Sequence, residues 1–189
     1  LNLKEKYFGK EHPEYAAILI NLANLYSEIG SYQQAELFYL DAKQIFNRKE
    51  ISKNNLDYIS CLISLGNLNR TLGQCDKAEK FLLESKQKIG EILGKNSPDY
   101  ANILNNLGEL SIEKNEMKLA EEYFLEARAI LKNILNGNYP DYISNLYYLG
   151  KLYLAQGNYQ NAEKLFFESK ELFEKIFGVD NPKYANILD

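Results

Sequence analysis

Tyr15, Tyr58, Tyr100, Tyr142 and Tyr184 fall 43, 42, 42 and 42 residues apart in a chain of 189 residues. The same interval carries Leu19, Leu62, Leu104, Leu146 and Leu188, and also Leu22, Leu65, Leu107 and Leu149. The small residues Ala23, Gly66, Gly108 and Gly150 keep step with them, as do Ala35, Ala78, Ala120 and Ala162, each followed by glutamate. Chance does not hold so many registers together, so the chain is read as one unit copied four times, at about 13–55, 56–97, 98–139 and 140–181. The one extra residue lies near Ile51–Asn55.

Within each copy the leucine spacing makes an apolar stripe along a first helix. The Ala or Gly after the second leucine removes side-chain bulk, so that a second helix can approach closely. Gly30, Gly73 and Gly157 sit where the first helix must stop in a left-handed conformation, with Asn115 as their substitute. Pro13, Pro98, Pro140 and Pro182 mark helix starts, where a missing N–H costs nothing. Leu56 stands at that place in the second copy, which predicts a less sharply defined start. The spacing predicts helices over about 13–29, 32–49, 56–72, 75–93, 98–114, 117–135, 140–156 and 159–177. Residues 1–8 read as the tail of a preceding helix and 182–189 as the start of a following one, so the chain is expected to be a piece of a longer array. Phe38-Tyr39-Leu40, Phe81-Leu82-Leu83, Tyr123-Phe124-Leu125 and Leu165-Phe166-Phe167 each place three apolar residues together. One partner helix cannot cover all three, so each triplet is expected to need a neighbour on the next copy as well.

Net charge is −4, from 22 basic and 26 acidic residues, which disfavours nucleic acid as a partner. No apolar run approaches a membrane span, and no signal peptide is visible. The cytoplasm is the expected compartment. Cys61 and Cys75 form no ligand motif, and Cys75 falls in a register otherwise held by Tyr32, Met117 and Tyr159, so it is read as an apolar filler.

These registers resemble those of tetratricopeptide repeats: Leu22-Ala23 with Tyr26 and then Ala35, or Leu149-Gly150 with Tyr153 and then Ala162. The 42-residue form, with Gly9-Lys10-Glu11-His12-Pro13-Glu14-Tyr15-Ala16 at its joint, is similar to the subtype of kinesin light chains and to arrays that precede CHAT domains in bacterial proteins. The resemblance implies an all-α, right-handed superhelix of antiparallel helix pairs that binds proteins. Two departures are that the chain has no tryptophan, and that Asn69 and Ser111 stand where other copies have Tyr26 and Tyr153.

Nothing in the chain spells catalysis, and no cofactor or metal is expected. His12 is the only histidine and sits in a joint, where it is read as shaping the turn. No glycine-rich phosphate loop is present. Asn69-Arg70-Thr71 spells a glycosylation acceptor inside a helix and is read as accidental. Glu36, Glu79, Glu121 and Glu163, with Asp41, Glu84, Glu126 and Glu168, alternate with Lys43, Lys86, Arg128 and Lys170 at the unit period. They are read as a solvated, charge-balanced face rather than paired acids.

The first helices carry the more informative set, which the resemblance places on a concave groove: Asn21, Asn24, Ser64, Asn67, Arg70, Asn102, Asn105, Asn106, Tyr147, Tyr148 and Lys151. Ile20, Ser60, Glu109 and Ser144 are read as belonging to the same groove. Asparagine both donates and accepts, so a ladder of it suits the backbone of an extended peptide, and the tyrosines suit interface anchors. A carboxylate clamp of lysines and an arginine among asparagines is not expected: at its places stand Ile20, Asn24, Ser64, Asn102 and Asn106, so the asparagine of the first repeat is present and the cations are absent. The expected function is a non-catalytic scaffold for a protein or peptide partner. The alternatives are a spacer that self-associates end to end, or a regulatory array in a larger protein such as a CHAT-type protease.

Overall fold

The computed structural model describes residues 11–48, 55–134 and 139–178. Among them run eight α-helices and no strand. In the first half these are α1 (Pro13–Glu28), α2 (Tyr32–Arg48), α3 (Leu56–Thr71) and α4 (Cys75–Ile92). In the second they are α5 (Pro98–Glu113), α6 (Met117–Asn133), α7 (Tyr139–Ala155) and α8 (Tyr159–Phe177). Two compact units result, one within Leu1–Ile92 and one within Leu93–Asp189. The helices expected at 1–8 and 182–189 lie outside the described residues.

In each unit every helix packs most closely on its sequence neighbour, in two hairpins that then pack on each other. The leucine stripe is the core: Leu62, Leu65 and Leu104 are fully buried, as are Leu146 and Leu149, with Leu107 only 2% exposed. Burial of each such side chain contributes roughly 1.5–3 kcal/mol before the entropy of ordering is subtracted. The small register after it is a point of close approach. A Cβ added at Gly66 would sit 2.7 Å from Leu82 Cγ, at Gly108 2.4 Å from Phe124 Cε1, and at Gly150 2.5 Å from Phe166 Cε1.

All four hairpin turns close the same way. The N–H of Ser31, Gln74, Glu116 and Asn158 donates to the carbonyl of Tyr26, Asn69, Ser111 and Tyr153 respectively, at 2.8 Å each time. The residue before each donor is left-handed: Gly30, Gly73, Asn115 and Gly157, with φ of 77°, 70°, 61° and 73°. The left-handed residue's own N–H adds a second bond, to the carbonyl of Ser27, Arg70, Ile112 and Leu154 in turn, and the two bonds satisfy carbonyls that a helix end leaves without partners. No atom lies within 4 Å of a Cβ built on Gly157, so a side chain there meets only backbone strain. Gly157→Ala is therefore expected to cost about 1 kcal/mol, and Asn115→Gly to gain several tenths to ~1 kcal/mol. Urea melts of the two variants check both signs.

Three expectations are corrected. The start of α3 is sharply capped despite Leu56: Asn55 Oδ1 accepts from the N–H groups of Asp57 and Tyr58 at 2.8 and 3.3 Å. Asparagine supplies the cap that proline's fixed φ supports elsewhere. Second, Leu40, Leu83, Leu125 and Phe167 are 40%, 41%, 44% and 55% exposed rather than covered by the next copy. Consecutive residues of a helix are about 100° apart, so a triplet spans most of its circumference and its last position turns away from the core, while Tyr39, Leu82, Phe124 and Leu165 face inward. Third, the periodic charges are not simply solvated. Glu84 accepts a hydrogen bond from the Tyr58 hydroxyl and pairs with Lys43 at 3.4 Å. Glu168 accepts from the Tyr142 hydroxyl at 3.0 Å and pairs with Arg128 at 3.1 Å. In both units the cation belongs to one hairpin and the acid and tyrosine to the next, so this trio fastens hairpin to hairpin.

His12 takes the turn-shaping role: its Nδ1 accepts from the Glu14 N–H at 3.3 Å, as N-cap of α1. Asn69 is fully buried and its Nδ2 donates to the Leu65 carbonyl at 2.8 Å, so it offers no acceptor for a glycan.

Candidate functional site

The first helices of each unit turn their leucines inward and leave a second stripe of polar and aromatic side chains partly open. In the first unit Asn21 and Asn24 are exposed, and Ser64, Asn67 and Arg70 are half-buried. Tyr39 brings two of these together. Its hydroxyl donates to Asn24 Oδ1 and shares a hydrogen bond with Ser64. Burial raises its pKa above the usual 10.0, with the Ser64 bond opposing and the nearby Cys61 and Glu28 adding to the rise. Asn67 occupies the register of Asn24, but Leu82 replaces Tyr39 there. The Asn67 Oδ1 is consequently buried and accepts no hydrogen bond among the described residues.

In the second unit Asn102, Asn106, Tyr147 and Tyr148 are half-buried and Lys151 is exposed. Their surroundings are aromatic. Tyr148 stacks on Phe124 with centroids 5.8 Å apart and planes 10° apart. Tyr147 meets Tyr148 edge-on at 6.2 Å and Phe166 at 5.9 Å. Lys151 Nζ lies 5.5 Å over the Tyr147 ring, close enough for the ring face to hold the cation. These contacts fix both tyrosine rings before any partner arrives.

Asn105 departs from the expected set: it is only 4% exposed, and its Oδ1 accepts from Asn145 Nδ2 at 2.7 Å. It lies behind the open stripe and serves the core, because Asn145 draws its carboxamide inward. Asn145 was not among the sequence candidates. It is fully buried, and the same Nδ2 donates to the Phe124 carbonyl at 3.0 Å. In the first unit Cys61 holds that register and donates from Sγ to the Tyr39 carbonyl at 3.3 Å. Burial pushes the Cys61 thiol up to about 12, which makes it a weak donor rather than a nucleophile. The sequence signal for Asn145 is one amide in a register otherwise filled by Ile18, Cys61 and Ile103.

The described residues hold no cluster of three or more His, Cys, Asp or Glu side chains suited to a metal, and no helix long and apolar enough to cross a membrane. The raised pKa values of Tyr58, Tyr142 and Tyr153 follow first from burial, and then from partners. For Tyr58 the Glu84 hydrogen bond and charge add to the rise. At Tyr142, Arg128 opposes it and Glu168 adds to it. The Tyr153 hydroxyl donates to Glu121 at 2.8 Å, which keeps it protonated.

No curated protein matches the chain. Solved structures do. BtubC (BKLC) from P. vanneervenii superposes with a TM-score of 0.81 at 25% identity, over 90% of this chain and 68% of that one. The kinesin light chain-like repeats of Podosopora anserina give 0.77 at 20% identity, over 92% and 82% of the two chains. A Rap protein complexed with Competence and Sporulation Factor gives 0.79 at 18% identity, over 97% of this chain and 48% of that one. The chain thus spans about half the length of the Rap protein. The tetratricopeptide repeat pattern matches residues 1–48, 58–133 and 99–175. With stacked helix pairs, constant leucine and small-residue registers, and these matches over most of its length, the chain belongs to the tetratricopeptide repeat family.

Proposed function

We propose that the chain is a non-catalytic interaction scaffold holding a peptide segment or helix of a protein partner against the open stripe of its first helices. The observation that carries this is the contrast between two registers on the same helices. Leu22, Leu65, Leu107 and Leu149 do not vary, as packing requires. Asn24, Asn67, Glu109 and Lys151 pass from amide to acid to base at equivalent places, which packing does not require. Positions that vary where the core register does not are where recognition is written. The family supports the reading, since stacked helix pairs create extended binding surfaces. A Rap protein of similar fold was solved with Competence and Sporulation Factor, which is consistent with such a scaffold carrying a ligand. Cys61 and Cys75 are free, which fits the reducing cytoplasm proposed as its compartment.

Selection of a random peptide library on the intact chain, followed by affinity measurement, tests it. The variant combines Asn67→Ala, Asn106→Ala and Lys151→Ala. Asn105 and Tyr147 are left alone because they pack on Asn145 and Phe166. The expected result is at least about tenfold weaker binding of the selected peptides (~1.4 kcal/mol) with an unchanged melt. Equal affinity for wild type and variant would refute the assignment of this face.

A further inference from the structure

One register on the second helices breaks step in the first unit. Tyr39, Leu82, Phe124 and Phe166 hold equivalent places on α2, α4, α6 and α8, and only Tyr39 carries a hydroxyl. Packing does not call for one: Leu82 and Phe124 are fully buried without it, and Tyr39 is itself only 3% exposed. The hydroxyl instead reaches the open stripe. It donates to Asn24 Oδ1 on α1, and Ser64 of α3 is its second partner. One buried group thus ties together stripe residues on both first helices of the unit.

The direction of that bond decides what Asn24 can offer. A carboxamide accepts through Oδ1 and donates through Nδ2. With Oδ1 held by the buried hydroxyl, the Nδ2 of the exposed Asn24 is the end left for a ligand. Asn67, its mate on α3, points the same way: its Oδ1 is buried while the residue as a whole is half-buried, so its open end is also Nδ2. Asn67 stands well inside the chain, and Glu109 at the same register of α5 is likewise half-buried, so the openness belongs to the register. Two donors at one register suit a ligand edge made of acceptors. An extended segment leaves backbone carbonyls free along its edge, whereas a helix has already engaged its own with N–H groups one turn away.

We infer that Tyr39 is a positioning residue of the binding stripe: it fixes the Asn24 carboxamide with its N–H groups outward, so that the first unit takes an extended peptide by its backbone carbonyls rather than a helix. The inference rests on the stripe proposed above and goes beyond it by choosing between the two kinds of partner named there. Tyr39 itself touches no ligand and acts through Asn24. The register tolerates the loss of its hydroxyl, since phenylalanine fills the same place on α6 and α8.

Peptides selected on the intact chain from a random library are the probe, and their affinities for Tyr39→Phe, Asn24→Ala and the double variant are compared with wild type. Each single change should weaken binding about fivefold, the usual scale of one hydrogen bond. The double variant should bind no more weakly than Asn24→Ala alone, because the hydroxyl acts only through the amide; a merely structural role would let the two losses multiply. Replacing the peptide's amides by esters one at a time weakens each carbonyl as an acceptor. At one position this should cost wild type about fivefold and Asn24→Ala nothing. Tyr39→Phe binding as wild type does, losses that multiply in the double variant, or selected peptides that gain helical circular dichroism on binding would overturn the inference. If the Asn67, Asn106 and Lys151 variant still loses affinity in that event, the stripe stands without it; if that variant also binds as wild type does, the stripe falls too.

Discussion

Phe124→Ala is expected to destabilise the second unit by about 3–5 kcal/mol, the range for emptying a fully buried aromatic site. The ring fills the space that Gly108 leaves open, and Tyr148 stacks on its face. The two positions are therefore coupled. Gly108→Ala drives its methyl into the ring and should cost about 1–3 kcal/mol as an overpacking change. In the Phe124→Ala background there is no ring to strike. The same methyl should then be neutral, or stabilise by up to ~1 kcal/mol through helix propensity. Urea denaturation of the two singles and the double reads the difference. Costs that simply add would mean that the glycine register is not set by the second helix.

The next largest effect concerns the amide pair. Asn145→Ala leaves the Asn105 side chain buried without its donor and should cost about 1–3 kcal/mol, and Asn105→Ala a similar amount. The registers of Asn105 and Asn145 are held in the first unit by Ile20 and Cys61, 7% and 0% exposed. Transplanting that pair, Asn105→Ile with Asn145→Cys, removes both amides together, along with the buried Asn145 Oδ1 that accepts no bond among the described residues. The double variant should melt at or above wild type. A double variant as unstable as the Ala singles combined would show that the amides do more than satisfy each other.

The fold was legible because core registers recur: a leucine that must face inward four times leaves little freedom of interpretation. Turn chemistry was equally plain at Gly30, Gly73, Asn115 and Gly157, where a left-handed residue has few substitutes. What escaped was interaction between registers. Glu84 and Lys43 each look like surface charges when a helix is read by itself. Their meeting at Tyr58 depends on how neighbouring hairpins are staggered, which no single-helix pattern contains. Asn105 was placed on the binding stripe by its position beside Asn106, and Asn145 moved it inward through a bond spanning 40 residues. Leu40 and Phe167 were expected under cover because hydrophobicity was counted along the chain rather than around the helix. The open stripe itself was visible in outline, and its aromatic packing was not. Tyr148 on Phe124 and Tyr147 on Phe166 involve residues of separate helices.

Because each helix leans chiefly on the helix just before or after it in the chain, few native contacts require distant segments to find each other. Closing short loops costs little entropy, so assembly can begin at any hairpin and spread outward on a timescale of microseconds to milliseconds. The same locality makes length negotiable. A lineage could add or drop whole hairpins without redesigning those that remain, and adjust its reach by duplication while each surviving unit keeps its own foundation.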